Sequence, residues 1–324
     1  MPPGGKSPNR VRTRAPLGHD LRMGAGVVER IVTLAGERRL PVREGGDLGG
    51  LPVLFHHGTP ASRHAAALVD AAAHRAGIRL ISFNRPGYGD VPTNPPSLAS
   101  VGADTIRIAD AIGIERFATA GISGGGPYAL ATALAGPERV VQVTVVAGIG
   151  PWRIINPDDP NDPERQFLSL ADAGQIEEAL AGFRAELAAE TGDLLSLDDE
   201  AMMATYLDGA PPDDLRWLDR HKRLLWAVDL REALHNMDGY ARDNVAWGGE
   251  WDIDISALGC PVRLYYGDQD RLVPPEHGRW LAERIPHALL VTFPEAGHGT
   301  TAFDFWDTIL AALHDTRTVR SPFR

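Results

Sequence analysis

Residues 116–134 constrain this chain more than any other stretch. Arg116-Phe117-Ala118-Thr119-Ala120 reads as a short buried strand, and Pro127 to Leu134 reads as a helix. Between them stands Gly121-Ile122-Ser123-Gly124-Gly125. This G-x-S-x-G pattern between a strand and a helix reads as a sharp strand-to-helix turn that holds Ser123. Such a turn brings neighbouring backbones close, and a Cβ at the flanking positions would clash, which gives the glycines a steric reason. It also pushes the serine hydroxyl into the open at the positive end of the new helix. Ser123 is therefore a candidate nucleophile.

The surrounding pattern predicts an α/β fold. Strands are expected at 27–34, 39–44, 51–58, 78–84, 116–120, 139–147, 261–266 and 288–293. The first two form a hairpin through Gly36-Glu37-Arg38. Helices are expected at 62–76, 101–112, 127–134, 275–285 and 300–314. The valine-dense run at 139–147 hardly alternates, as in a parallel strand covered on both faces. Strands alternating with helices predict a mostly parallel central sheet of about eight strands, covered by helices.

The pattern changes at about Pro151. From there to Trp251 only helices are expected, after a turn-rich connector at 157–163. Ile176, Leu180, Phe183 and Leu187 make one apolar helical stripe. The block holds Trp152, Trp217, Trp226, Trp247 and Trp251, with Met202, Met203 and Met237. An aromatic, Met-rich helical insertion fits a cap over an apolar pocket. The expected organisation is a tail at 1–22, a core at 23–150 and 252–324, and a cap at 151–251.

Composition removes several classes. A net charge of -11 argues against nucleic-acid binding. The one cysteine, Cys260, cannot form an intrachain disulfide or a cysteine-built zinc site, and it reads as a buried, inert thiol. No apolar run approaches the ~20 residues of a membrane helix. The first twenty residues, rich in Pro, Gly and Arg, lack the apolar segment of a secretory signal. A cytoplasmic protein without membrane insertion is expected, as a monomer or homodimer with no cofactor, acting on a small molecule.

A serine hydroxyl needs a base, and the base needs an orienting acid. His298 lies in Glu295-Ala296-Gly297-His298-Gly299, just after the last expected strand. A histidine there projects from the same edge of the sheet as Ser123. Asp268 and Asp270 compete for the acid, in Gly267-Asp268-Gln269-Asp270-Arg271-Leu272-Val273-Pro274. One of them can simply cap the turn, and Asp270 is preferred as the partner of His298. Attack on a carbonyl also needs two N–H donors for the developing oxyanion. Gly124 N–H, just after the nucleophile, is one. Thr59 N–H, in His56-His57-Gly58-Thr59-Pro60, is the other, since Pro60 has no N–H. His57 reads as bracing this loop. It is grouped with Ile122, Trp152 and Trp226 among the residues expected nearest a substrate.

These motifs together resemble the α/β-hydrolase superfamily, in its branch with a helical cap after the sixth strand. The resemblance is carried by His57-Gly58-Thr59-Pro60, Arg85-Pro86-Gly87-Tyr88-Gly89, Gly121-x-Ser123-x-Gly125, Gly267-x-x-Asp270-x-x-Val273-Pro274 and Gly297-His298, in order from about Val27 to Leu313. It implies Ser123 as nucleophile, His298 as base and Asp270 as acid, with Gly124 and Thr59 in the oxyanion hole. Two positions depart from the family pattern: Asn84 stands where Asp is usual, and Ile122 where His or Trp is frequent. Ile122 is expected to make the pocket floor more apolar. Family members that cleave carbon–halogen bonds or epoxides use aspartate at the elbow, so Ser123 excludes those chemistries.

The expected function is hydrolysis of a small, fairly apolar carboxylic ester or lactone through an acyl-enzyme. Two enzyme alternatives stand beside it. One is a proline iminopeptidase-like amidase, with Glu164, Glu177, Glu178 or Asp229 gripping the substrate amine. The other is a carbon–carbon bond hydrolase. A rival of another class is a ligand-binding protein of this fold with little turnover.

Overall fold

Short apolar segments at the expected places pair into one sheet. They are β1 (Val28–Thr33), β2 (Arg39–Gly46), β3 (Leu51–His56), β4 (Ile78–Phe83), β5 (Phe117–Ile122), β6 (Val140–Val146), β7 (Val262–Gly267) and β8 (Ala288–Phe293). The computed structural model describes residues 26–155 and 164–314. The tail expected at 1–22 and the connector at 157–163 lie outside the described residues. Strand order is β1-β2-β4-β3-β5-β6-β7-β8. β2 runs antiparallel to both of its neighbours, and all other pairs are parallel.

Helices α1 (Asp70–Arg75), α2 (Leu98–Ala111) and α3 (Gly126–Ala135) follow β3, β4 and β5. Six more, α4 (Trp152–Ile155), α5 (Arg165–Asp172), α6 (Ile176–Thr191), α7 (Asp199–Tyr206), α8 (Arg220–Ala233) and α9 (Asp238–Gly248), lie between β6 and β7. The chain closes with α10 (Pro275–Arg284), α11 (His298–Phe303) and α12 (Trp306–Ala311). None of the helices in the described residues is long and apolar enough to cross a membrane.

Both faces of the sheet are covered, which is why its central strands do not alternate in polarity. On β3, Val53 and Phe55 enter a cluster with Ala72 and Ala73 of α1 and Ile309 and Leu310 of α12. Leu54, between them, enters the opposite cluster with Val101 and Ile108 of α2, Leu130 of α3 and Leu281 of α10. Cys260 is half-buried rather than buried, and it is free; burial pushes its thiol pKa up, which keeps it protonated.

Two expected helices break. In place of one helix at 62–76, a 3-10 turn (Arg63–Leu68) precedes α1, with the Ser62 hydroxyl accepting from His64 N–H at 3.2 Å. In place of 300–314, the chain bends at Asp304 and Phe305 between α11 and α12. There Phe305 stacks on Phe293 of β8, with centroids 3.9 Å apart.

The described residues of the 151–251 block form helices and 3-10 segments joined by turns, with no strand among them, but the aromatic residues divide. Leu180 and Phe183 pack with Leu168 and Ala241. Leu187 packs with Met202, Met203 and Leu230. Trp247 joins the main core over the sheet, and Trp251 meets Trp280 edge-on. The tryptophans thus do not form one apolar lining.

α8 is tied to the turn after β3 by Asp229, whose Oδ1 accepts from both Ser62 N–H and Ser62 Oγ at 2.7 Å. Burial is the largest influence on this carboxyl and pushes its pKa up to about 6, despite the Ser62 bonds and nearby His64. An acid whose pKa is raised on folding stabilises the fold at low pH and loses that contribution as pH rises through the folded value. Asp229 therefore costs about 3 kcal/mol above pH 6, from two pKa units at about 1.4 kcal/mol each. Asp229→Asn keeps an oxygen for Ser62. Its melting temperature relative to wild type is expected to be higher at pH 7.5 than at pH 4.5. Parallel melting at both pH values would remove the cost assigned to Asp229.

Candidate active site

The parallel strands end at one edge of the sheet, where β3, β5, β7 and β8 deliver the loops of the site. At the end of β5 the elbow is as tight as its glycines require. A Cβ on Gly121 would run into the Gly125 carbonyl, and one on Gly125 into the His56 and His57 carbonyls. Ser123 adopts φ +51°, a left-handed conformation that costs a side-chain-bearing residue energy and recurs at functional turns. Ser123 is partly accessible, while Gly124 beside it is buried.

The structure brings Ser123, His298 and Asp270 into one chain of contacts. His298 Nε2 lies 3.1 Å from Ser123 Oγ, and His298 Nδ1 lies 2.7 Å from Asp270 Oδ2. The Asp270 side chain is fully buried, and that of His298 is 16% exposed. Asp270 Oδ1 accepts from Leu272 N–H at 3.0 Å and Val273 N–H at 2.8 Å. The loop therefore fixes the carboxylate while its second oxygen faces the histidine. Asp268 has the other job, its Oδ1 accepting from Glu295 N–H at 2.8 Å. An aspartate behind a histidine behind a serine can orient the ring, accept the hydroxyl proton and stabilise the imidazolium that results.

Thr59 lies against Gly124. A Cβ on Gly124 would collide with the Thr59 side chain and stand 3.5 Å from Thr59 N. Among the described residues no acceptor meets Thr59 N–H. The two N–H groups are thus on adjoining segments beside Ser123.

The other expected contacts separate. His57 is fully buried. Its Nδ1 lies 2.8 Å from Gly58 O, and its Nε2 accepts from Arg85 N–H at 3.4 Å. Burial first, then the Arg85 charge, holds its pKa well below the usual histidine value. It braces the loop and has no free nitrogen for a substrate. Ile122 is not a pocket floor: it is 2% exposed and packs under the sheet with Phe55, Val146 and Trp306. In the strict alternation of a strand, its side chain points away from the face that Gly121 and Ser123 serve. Trp152 packs at a tilt against His277 with centroids 5.3 Å apart, and Trp226 packs against Trp217, Tyr206 and Phe303. A cleft of about 290 Å³ lies between Pro95–Ser97, α5, α6 and α9. Neither Ser123 nor His298 lines it.

A second constellation escaped the sequence reading. Asp243, on α9, is a fully buried hub. Its Oδ2 accepts from Arg85 Nη2 at 2.6 Å, Thr59 Oγ1 at 2.8 Å and Tyr88 OH at 2.9 Å, and its Oδ1 from Tyr128 OH at 2.6 Å. Arg85 also donates to the carbonyls of His57 at 2.6 Å and Gly58 at 2.9 Å. Burial, reinforced by the Asp243 charge, holds both tyrosines well above their usual pKa, so they remain donors. The loop carrying Thr59 is therefore gripped by Arg85 and Asp243, side chains from two distant parts of the chain. A signal for Asp243 existed. Arg242-Asp243-Asn244 are consecutive in a helix, so they cannot all share one exposed face.

Asn84 also finds its reason here. Its Oδ1 accepts from Arg63 N–H at 2.8 Å and its Nδ2 donates to Glu232 at 3.0 Å. An aspartate would set two carboxylates face to face. Glu232 itself also contacts His64 and Arg63, and these partners outweigh its burial to bring its pKa down to about 2.

Comparisons agree with this architecture. A family model described as the alpha/beta hydrolase fold matches residues 52–303. The putative carbamate hydrolase RutD of Caulobacter sp. (strain K31) is 27% identical over 282 residues, covering 78% of this chain and 91% of that protein. A pimeloyl-[acyl-carrier protein] methyl ester esterase of Nitrosomonas europaea is 27% identical over 226 residues, covering 68% and 78%. The solved structure of a bromoperoxidase from Bacillus anthracis superimposes with a TM-score of 0.63 at 19% identity, covering 88% of this chain and 98% of that one.

Proposed function

The chain belongs to the α/β-hydrolase family, and on that premise we propose that it is a serine hydrolase of a small, fairly apolar carboxylic ester or lactone. The observation that carries this reading is the unbroken contact chain from Ser123 Oγ through the His298 ring to Asp270. Ser123 attacks the substrate carbonyl while His298 takes its proton. The N–H groups of Gly124 and Thr59 receive the oxyanion. His298 then gives the proton to the leaving alcohol and an ester between Ser123 and the acyl group remains. Water, deprotonated by the same ring, releases the acid and restores Ser123. Helices α4–α9 act as a cap over the site, assigned to 151–251, with 23–150 and 252–324 as the core.

The methyl ester esterase among the relatives supports an ester. The iminopeptidase alternative loses support from the carboxylates it needs. Asp229 is committed to Ser62, Glu164 accepts from Tyr240 OH at 3.1 Å, and Glu177 and Glu178 are exposed.

The purified protein is expected to hydrolyse p-nitrophenyl acetate or butyrate, to be labelled at Ser123 by a fluorophosphonate, and to leave Pro-β-naphthylamide intact. Faster turnover of the naphthylamide than of either ester would replace this reading with the aminopeptidase. Resistance to the fluorophosphonate together with no ester hydrolysis would favour a ligand-binding protein.

A further inference from the structure

We propose that Asp214, from the helical block between β6 and β7, is a positioning residue for His298. The inference rests on the serine-hydrolase reading and adds to it a second element that holds the base.

His298 is the first residue of α11, and the residue before it, Gly297, has no side chain with which to cap the helix. The first N–H groups of a helix have no partner within it and need one from elsewhere. Here the partner comes from far along the chain. Asp214 Oδ2 accepts from Gly299 N–H at 2.9 Å, and Asp214 Oδ1 from Thr300 N–H at 2.7 Å. Both oxygens of one carboxylate are thus spent on the two residues that follow the histidine.

The glycines around His298 are fitted to this carboxylate. A Cβ on Gly297 would stand 2.7 Å from Asp214 Cγ. One on Gly299 would stand 3.0 Å from Asp214 O and 3.2 Å from Trp217 Nε1. Gly297 has φ -85°, which any residue adopts, so its lack of a side chain answers to the neighbour and not to the backbone. Trp217 fixes the Asp214 turn by donating its Nε1–H to Asp214 O at 2.9 Å. The same indole stacks on Phe303, at the far end of α11, with centroids 4.6 Å apart. The block therefore holds the six residues of α11 at both ends. Asp270 fixes the His298 ring from the core, and Asp214 fixes the backbone that carries it. A ring 3.1 Å from the serine oxygen tolerates little displacement of that backbone.

The test uses the full chain, with Asp214→Ala, Asp214→Asn, Gly297→Ala and the double variant Asp214→Ala/Gly297→Ala. Turnover of p-nitrophenyl butyrate, the rate of fluorophosphonate labelling and the melting temperature are measured for each. Asp214→Ala is expected to lower kcat and the labelling rate together by roughly ten- to a hundredfold, with KM within about twofold of wild type. Asp214→Asn, keeping one carbonyl oxygen as acceptor, recovers part of that loss. Gly297→Ala lowers kcat by collision with the carboxylate. The double variant, where no carboxylate is left to collide with, is no worse than Asp214→Ala alone. Wild-type kcat and labelling in Asp214→Ala, even with a lower melting temperature, overturn the proposal, as do additive losses in the double variant. A wild-type protein that neither hydrolyses the ester nor takes the probe brings down the serine-hydrolase reading itself, a distinct result.

Discussion

Ser123→Ala is expected to lower kcat on p-nitrophenyl butyrate by roughly 10⁵- to 10⁶-fold and to abolish fluorophosphonate labelling. Only the oxygen that forms the acyl bond is removed. Alanine keeps the Cβ and inherits the same left-handed φ, and Ser123 is at the surface of the site rather than in the core. Stability should therefore stay within about 0.5 kcal/mol of wild type. Asp270→Asn gives the companion result. Its oxygen can still accept from Leu272 and Val273, which keeps the loop in place. The amide nitrogen then faces His298 Nδ1 and favours the wrong tautomer, a change that costs about 10⁴-fold in kcat in such a triad. A Ser123→Ala protein as fast as wild type would end the covalent mechanism. Loss of activity together with collapse of the melting transition would shift the serine's role toward stability.

How legible the site was depends on how far apart its parts are in sequence. Ser123, Asp270 and His298 each follow a strand whose pattern is visible, so the sheet places them without any knowledge of packing. In the folded loop Asp270 is buried against His298 while Asp268 is exposed and accepts from Glu295 N–H, but the turn chemistry leaves both as candidates until the loop is folded. Arg85 and Tyr88 were visible as a motif but had no role, because their partner lies on α9, and nothing local to Arg85 announces it. The family resemblance places Ile122 at the pocket floor, whereas strand alternation sends it under the sheet. Asp214 has no sequence signature of its own. Its trace is the pair of glycines flanking His298, which only the folded chain explains.

Asp243→Ala is expected to be the most destabilising single substitution in the site, at about 3–5 kcal/mol in urea melts, because it leaves the Arg85 charge buried and unpaired. That is a large part of the roughly 5–15 kcal/mol available to a folded domain. Arg85 has no exposed surface from which to recover solvation. The hydroxyls of Thr59, Tyr88 and Tyr128 lose their shared acceptor in the same step. Asp243→Asn keeps the shape and one oxygen, so its loss is smaller. Replacing the pair with apolar residues, as in Arg85→Met/Asp243→Leu, does not restore the fold. Arg85 also donates to the His57 and Gly58 carbonyls, and an apolar pair strands these acceptors. The effect on catalysis has its own cause. Thr59 is tied through its hydroxyl to Asp243, and its N–H is the proposed oxyanion donor, so the fraction of Asp243→Asn that folds should show kcat lowered by about a hundredfold, comparable to loss of one such donor. Tyr128→Phe removes one donor from the hub but leaves Thr59 and Arg85 bound, and should cost stability with little change in kcat. An Asp243→Ala protein that melts within about 1 kcal/mol of wild type would show that water reaches Arg85, and the buried hub would have to be abandoned.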